Sequence, residues 1–479
     1  NYNVVVGDEA GTAITTGDNN VALGYASLDA LTTGSTNTGL GSFSLSSNTT
    51  AGNNVGVGYF ALKANTTGTS NVAVGTNALD ANTTASNNTG IGVGALGANT
   101  TGAQNTSLGM NALALNTTAS YNTALGYQAV YGNLTGTELV GVGHNALIEN
   151  TTGNYNVAVG GFALDANTTA SNNTAVGYNS LSANTTGGYN VALGTSALTA
   201  NTTATNNVAV GFSALTANTT GTSNVSLGAY SLTANTTANS NTALGHGTLN
   251  LNTTGASNTA VGETALTANT TGANNVAVGK SALIAVTTGA GNIAVGSTAG
   301  DSITTGTDNI VIGRAVAASA VDSANQIVMG DNVTGNANSS FCFGKDATDS
   351  AIAFGATSIT APSDQRYKEE IVDAVAGLSF VNDLRPVTFK WKKEKDIPST
   401  QRAYVEGSET RVMNDYTNHG FIAQEVKTVI DAHSEIKDGF DMWMEDEADG
   451  RQRLGPSALI PVLVKAIQEL TARIETLEG

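Results

Sequence analysis

Apolar and polar positions recur along this chain on a fixed beat of 17 residues. The run Asn71-Val72-Ala73-Val74-Gly75 returns as Asn88 to Gly92, Asn105 to Gly109 and Asn122 to Gly126. Glycine closes the run at every step from Gly7 to Gly330, twenty positions in all. Asn stands four residues earlier at eighteen of them, with Leu139 and Gln326 as the exceptions. Four residues after the glycine comes Leu, as in Leu62, Leu79 and Leu96, with Val130 the one substitution between Leu28 and Leu283, and Asn-Thr-Thr then follows, as at Asn65, Asn82 and Asn99.

A fixed period of this size marks a repeat architecture, and the unit is too short for a pair of helices. Val-Ala-Val has the period of two that a strand needs, with both valines on one face and the alanine on the other. The pattern predicts one rung of a β-solenoid: a strand, a glycine for a turn or a close approach, a second short strand carrying the leucine inward, then a polar turn. Twenty rungs at about 4.8 Å each give a shaft of roughly 95 Å. So short a rung encloses only a thin core and leaves the Ala face to be covered, so packing of three such coils into a parallel homotrimer is expected. The Asn-Thr-Thr triplets match the N-glycosylation sequon, but so regular a series reads as turn chemistry and stacked amide ladders. Past Gly330 the spacing shortens, to Gly344 and Gly355, and Phe341, Phe343 and Phe354 appear, so the solenoid is expected to taper over 331–362.

Composition divides the chain in two. Lys63, Lys280, Arg314 and Lys345 are the only basic residues before position 363, and the other fifteen of the nineteen follow it, with both tryptophans, Trp391 and Trp443. The expected domains are therefore a shaft over 1–330, a connector over 331–362 and a mixed-charge domain over 363–479. A net charge of −18 with no basic patch argues against nucleic acid or an anionic membrane as partner. The single cysteine, Cys342, excludes an intrachain disulfide and reads as a small buried hydrophobe. No window approaches 18 consecutive apolar residues, and Asn1 opens directly on repeat sequence with no signal segment before it, so a soluble chain is expected, one that can be a fragment of a longer protein.

The Asn-Val-Ala-Val-Gly core resembles the head repeats of trimeric bacterial adhesins and the repetitive shafts of phage tail fibres. The C-terminal hundred-odd residues carry more specific motifs: Ser363-Asp-Gln-Arg-Tyr-Lys-Glu-Glu-Ile371, Leu384-Arg-Pro-Val-Thr-Phe-Lys-Trp391, His419-Gly-Phe-Ile-Ala-Gln-Glu-Val426, and a helix from about Ser457. This succession resembles the intramolecular chaperone domain at the end of endosialidase tailspikes and many phage tail fibres, an auto-cleaving serine peptidase family. The whole is thus expected to be mostly β, a trimeric β-solenoid followed by a small α+β chaperone domain that ends in a coiled-coil helix.

The resemblance implies self-cleavage of the Pro362–Ser363 bond, with Ser363 as nucleophile and Lys368 as general base. The chemistry is reasonable, because a serine hydroxyl is a poor nucleophile until a base takes its proton, and lysine acts as a base only where burial lowers its pKa. Without the surrounding motifs, Ser363 or Asp364 would read as a helix cap and Lys368 as a solvated charge. His419, with Asp364, is a candidate for orienting the dyad. His144, His246 and His433 have no ligand-like neighbours in sequence, and no metal or cofactor is expected. Phe389, Trp391, Phe421 and Trp443 read as core, Lys390 to Lys395 as a solvated hairpin face, and 399–418 as a flexible insertion.

Ile460, Leu463, Ile467, Leu470, Ile474 and Leu477 follow at spacings of three and four, a coiled-coil seam. Ile and Leu at these positions suit two strands, whereas the solenoid and the resemblance call for three. The reading that follows is a homotrimeric tail fibre of a bacteriophage virion, assembled in the host cytoplasm and working outside the cell. Its partners would be a host cell-surface receptor, glycan or protein, and other virion tail proteins, with no membrane insertion. Its chemistry would be one self-cleavage, with no turnover on external substrates. A bacterial trimeric surface adhesin is the first alternative, and a glycan-degrading tailspike, which would need paired carboxylates in a cleft, is the second.

Overall fold

A computed structural model of the protein describes residues 2–356, 359, 365–401, 403–436, 440–445 and 450–478. The chain divides into two compact units, 1–362 and 363–479.

The first unit is a β-solenoid of about twenty turns. Three-residue strands recur from Val4–Val6 to Ile310–Ile312, and each pairs in parallel with the strand that follows it 17 residues on, the last of them with Ile327–Asp331. In the pairing of Val72–Val74 with Thr89–Ile91, Val72 faces Thr89, Ala73 faces Gly90 and Val74 faces Ile91. The solenoid ends in a hairpin: Ser340–Lys345 adds one more parallel strand, and Thr348–Ala353 then pairs with it antiparallel. Cys342, on the inner face of that hairpin, is fully buried. Burial and then the carboxylate of Asp349 push its thiol up to about 12, so it is packing rather than a reactive group.

Which strand face is inside differs from the sequence expectation. The middle residue of the strand, Ala73 or Ala158, is fully buried, and the two flanking residues face outward. Space decides this. A Cβ on Gly90, a middle position, would already come within 3.2 Å of the Leu79 side chain, so only Ala, Gly or Ser fits opposite the leucine. From Ala22 to Ala294 every middle residue is one of these three. When the middle residue grows to Val311, the neighbouring leucine position has already shrunk to Gly300, so the bulk changes sides within a constant interior.

The leucine is inward as expected, but it arrives on a turn, not on a second strand. Asn77 and Leu79 both adopt left-handed backbone, with φ of 57° and 52°. Asn77 N–H donates back to Tyr59 O and Leu79 N–H donates forward to Ala95 O, each at 3.0 Å. Alternating left-handed residues bend the chain tightly enough to close so short a rung, and inter-rung hydrogen bonds offset their strain.

Two buried asparagine ladders run along the shaft. In the first, Asn37 N–H donates to Asn20 Oδ1 at 2.9 Å and Asn37 Nδ2 donates to Ala51 O. In the second, Asn82 Nδ2 donates to both Asn65 Oδ1 at 2.8 Å and Ala85 O at 3.0 Å. The second ladder is the Asn of the Asn-Thr-Thr triplets. Fully buried, with both amide hydrogens engaged, these side chains are turn and ladder elements and offer nothing to a glycosylating enzyme.

The second unit has its own core. Helices α1 (Leu378–Asp383), α2 (Ala423–Ala432) and α3 (Leu459–Glu478) bring together Phe380, Leu384, Val426, Ile430, Met442, Leu459 and Val462, with Phe421 and Trp443 packed against them. Two antiparallel pairs complete it, Val387–Phe389 with Asn418–Gly420 and Trp443–Glu445 with Gln452–Leu454. Phe389 and Trp391 are not part of that core. They meet edge to face at 5.5 Å and line an open cavity of about 800 Å³, with Met413, Phe421 and Leu454. The expected insertion folds back on the preceding residues: Val412 N–H donates to Lys392 O, and Glu409 pairs with Lys393 and Lys395, which hold its carboxyl down at about 2.

Gly160 has φ 135°, and a Cβ there would lie 2.5 Å from Gly177 O of the next rung, whereas a Cβ on Gly161 meets nothing nearer than 3.6 Å. Gly160→Ala is therefore expected to cost about 2–4 kcal/mol and Gly161→Ala less than about 0.5 kcal/mol. Denaturant midpoints, with hydrogen exchange on the flanking rungs, check the pair.

Candidate processing and assembly site

Pro362, Ser363 and Asp364 lie outside the described residues. Lys368 follows a single turn of 3-10 helix, Gln365–Tyr367, and its backbone N–H donates to Gln365 O at 3.1 Å. Lys368 itself is exposed. His419 sits opposite Thr388 in the short antiparallel pair and is also exposed. Of the expected dyad only Lys368 falls among the described residues.

What they do assemble is a braced scaffold. The carboxylate of Glu469, in the middle of α3, accepts from Leu378 N–H at 2.9 Å and so holds the first turn of α1. Gly377 leaves room for this approach: a Cβ there would fall 2.7 Å from the Glu469 carboxylate, which would have to shift. α3 buries Leu459, Val462 and Ala466 against its own unit and leaves the other side apolar and open: Ile460, Ile467 and Ile474 are 61, 62 and 52 % exposed.

The second open apolar surface belongs to the shaft. The third strand position is Val, Leu, Ile or Met in every rung from Val6 to Met329, and the first is Val, Ile or Thr. Both point outward, with Leu108 and Leu227 44 and 43 % exposed. An unbroken apolar column of this length is far beyond the scattered exposed hydrophobics of monomeric proteins. The sequence expectation left the Ala face to be covered by a partner; the face left open is the Val/Leu face.

His433 corrects another expectation. Its ring lies between two carboxylates, Nε2 2.9 Å from Asp383 Oδ2 at the end of α1 and Nδ1 2.8 Å from Glu435 Oε1, with Phe380 edge-on at 5.3 Å. These hydrogen bonds, Asp383 first, raise its pKa above the usual value despite burial. Asp383 is 50 residues away in sequence, so no local pattern announces the pair. Among the described residues, no cluster of His, Cys, Asp and Glu could hold a metal ion.

Residues 363–435 match the family model described as chaperone of endosialidase. No curated protein and no solved structure matches the chain. A β-solenoid shaft followed by an endosialidase-type chaperone segment fits a tail-fibre-like protein with a C-terminal assembly chaperone.

Because the raised pKa of His433 means that the folded state favours the charged ring, its contribution is fully present below about pH 6.5 and is lost as pH rises through the raised value. His433→Gln should lower the melting temperature of the C-terminal unit more at pH 6 than at pH 8.5. Equal losses at both pH values would rule the charged pairing out.

Proposed function

We propose that the protein is a homotrimeric phage tail fibre, in which the solenoid carries recognition of a host cell-surface receptor and the C-terminal unit aligns three chains and then cuts itself off before Ser363. The observation that carries the reading is the junction. Residue 363 is at once the serine of the motif, the first residue of the chaperone match and the first residue of the second compact unit.

The physical need follows from the shaft. A repeat that returns every 17 residues does not specify register between chains, since a slip by one rung preserves nearly every contact. A non-repetitive domain that associates first, through the open seam of α3, fixes the alignment before the Val/Leu columns meet. Trimer formation would also cover Lys368 and lower its pKa, which makes cleavage conditional on assembly.

In the cleavage step the Ser363 hydroxyl attacks the Pro362 carbonyl while Lys368 takes its proton. The Pro362–Ser363 C–N bond breaks as the ester to Ser363 Oγ forms, and water hydrolyses that ester to leave a carboxylate on Pro362 and a free amine on Ser363. Removal of the chaperone leaves a shaft that has lost the element which aligned it, so it is trapped kinetically. In this reading the fibre assembles in the host cytoplasm, joins other tail proteins in the virion and acts outside the cell.

Denaturing gels of the full chain should show a fragment of residues 363–479 that is absent from Ser363→Ala and from Lys368→Ala. A single full-length band for all three proteins would overturn self-processing. Native mass should give three copies, and Val159→Glu with Val210→Glu, on the open face, should reduce it to one copy while the circular dichroism of the solenoid persists. A single-copy mass for the unmodified chain would overturn the trimer.

A further inference from the structure

The twenty rungs serve as an alignment of the protein with itself, and the corner after each glycine departs from it. Strand positions, the glycine, the leucine and both Asn ladders hardly vary from rung to rung, whereas the two residues after each glycine run through Tyr, Phe, His, Met, Ser, Thr, Glu, Lys and Arg. All four phenylalanines and both histidines of residues 1–330 stand at these two positions. The scaffold does not ask for them: Phe162, Asn77 and Ser196 occupy equivalent places with φ of 56°, 57° and 58°, so a small polar residue supports the same corner. Positions that the rungs tolerate freely, and that hold all four phenylalanines and both histidines of the shaft, are free to serve recognition.

The aromatics are grouped rather than scattered. Across four consecutive rungs Tyr127 stacks on His144 at 5.3 Å, His144 meets Phe162 at 5.0 Å and Phe162 meets Tyr178 at 6.0 Å. Tyr127, His144 and Tyr178 are exposed and Phe162 is half-buried. A second group, Phe212, Tyr230 and His246, repeats the arrangement nearer the C-terminal end of the shaft. Toward Gly330 the edge turns ionic instead, with Lys280 on Glu263 and Arg314 on Asp331.

Resting on the reading of the shaft as the receptor-binding part, we propose that the edge formed by Tyr127, His144, Phe162 and Tyr178 binds a neutral glycan chain. Rings offer faces to the C–H surface of a pyranose, and the half-buried amides beside them, Gln128 and Asn179, carry donors and acceptors for its hydroxyls. The rings recur once per rung, with centroids 5.3, 5.0 and 6.0 Å apart, which suits a polymer laid along the shaft rather than one compact ligand. Neither Asp, Glu, Lys nor Arg occupies these four corners, and a net charge of −18 disfavours an acidic polysaccharide.

The test uses the full chain and a panel of bacterial neutral polysaccharides (glucan, galactan, mannan) with polysialic acid as the acidic comparison. A second protein carries Tyr127→Ser, His144→Ser, Phe162→Ser and Tyr178→Ser together. Binding of at least one neutral glycan to the unmodified chain is expected, weakened about tenfold or more in the variant with melting and native mass unchanged. Absence of neutral-glycan binding, undiminished binding by the variant, or preference for polysialic acid would each overturn the proposal. Loss of the oligomer in the variant would also overturn it, by making the edge a contact between copies. Self-cleavage and native mass, read on the same samples, separate failure of this edge from failure of the tail-fibre reading.

Discussion

The close approach of one rung's backbone to the next at the glycine column governs this molecule. Each of these glycines holds a φ that other residues avoid, and each would drive a Cβ into the backbone of the following rung, 2.6 Å from Gly92 O in the case of Gly75. Such contact leaves no freedom in rung height, so every other position is stacked in strict register: asparagine on asparagine, leucine on leucine, alanine on alanine or glycine. The interior is thin enough that its residue sizes are traded one against another, as Gly300 and Val311 show.

The same regularity creates the molecule's central difficulty. A strand face that is so nearly equivalent from rung to rung could meet a second copy in many offsets of nearly equal energy. The C-terminal unit is built on opposite principles. Its core joins residues far apart in sequence, its α1 depends on a carboxylate from α3, and its His433 depends on a carboxylate from α1. In the proposed assembly, a domain with one way to fold and one apolar seam on α3 would supply the uniqueness that the repeat lacks.

Division of labour within each rung has the same logic. Residues that face inward or bear on the next rung are held constant, and those on the corner after the glycine are free to carry rings or charges. A solenoid of this kind can therefore change what it presents without changing how it stands.

The period, the role of the glycine, the inward leucine and the amide ladders were legible in the sequence, because each is a local consequence of one short unit repeated many times. The break in composition at Ser363 was equally plain, and the second compact unit begins at that residue. Which strand face is buried was not legible, although the signal existed in the small residues at every middle position: alternation tells which residues share a face but not which face meets the core. The turn that carries the leucine was missed for a related reason, since left-handed backbone at Leu79 is imposed by closing the rung and not by any preference of leucine. The bracing of α1 by Glu469 and the Asp383 side of the clamp on His433 were beyond reach altogether. They bring together groups 91 and 50 residues apart, and proximity of that kind is decided only when the chain has packed.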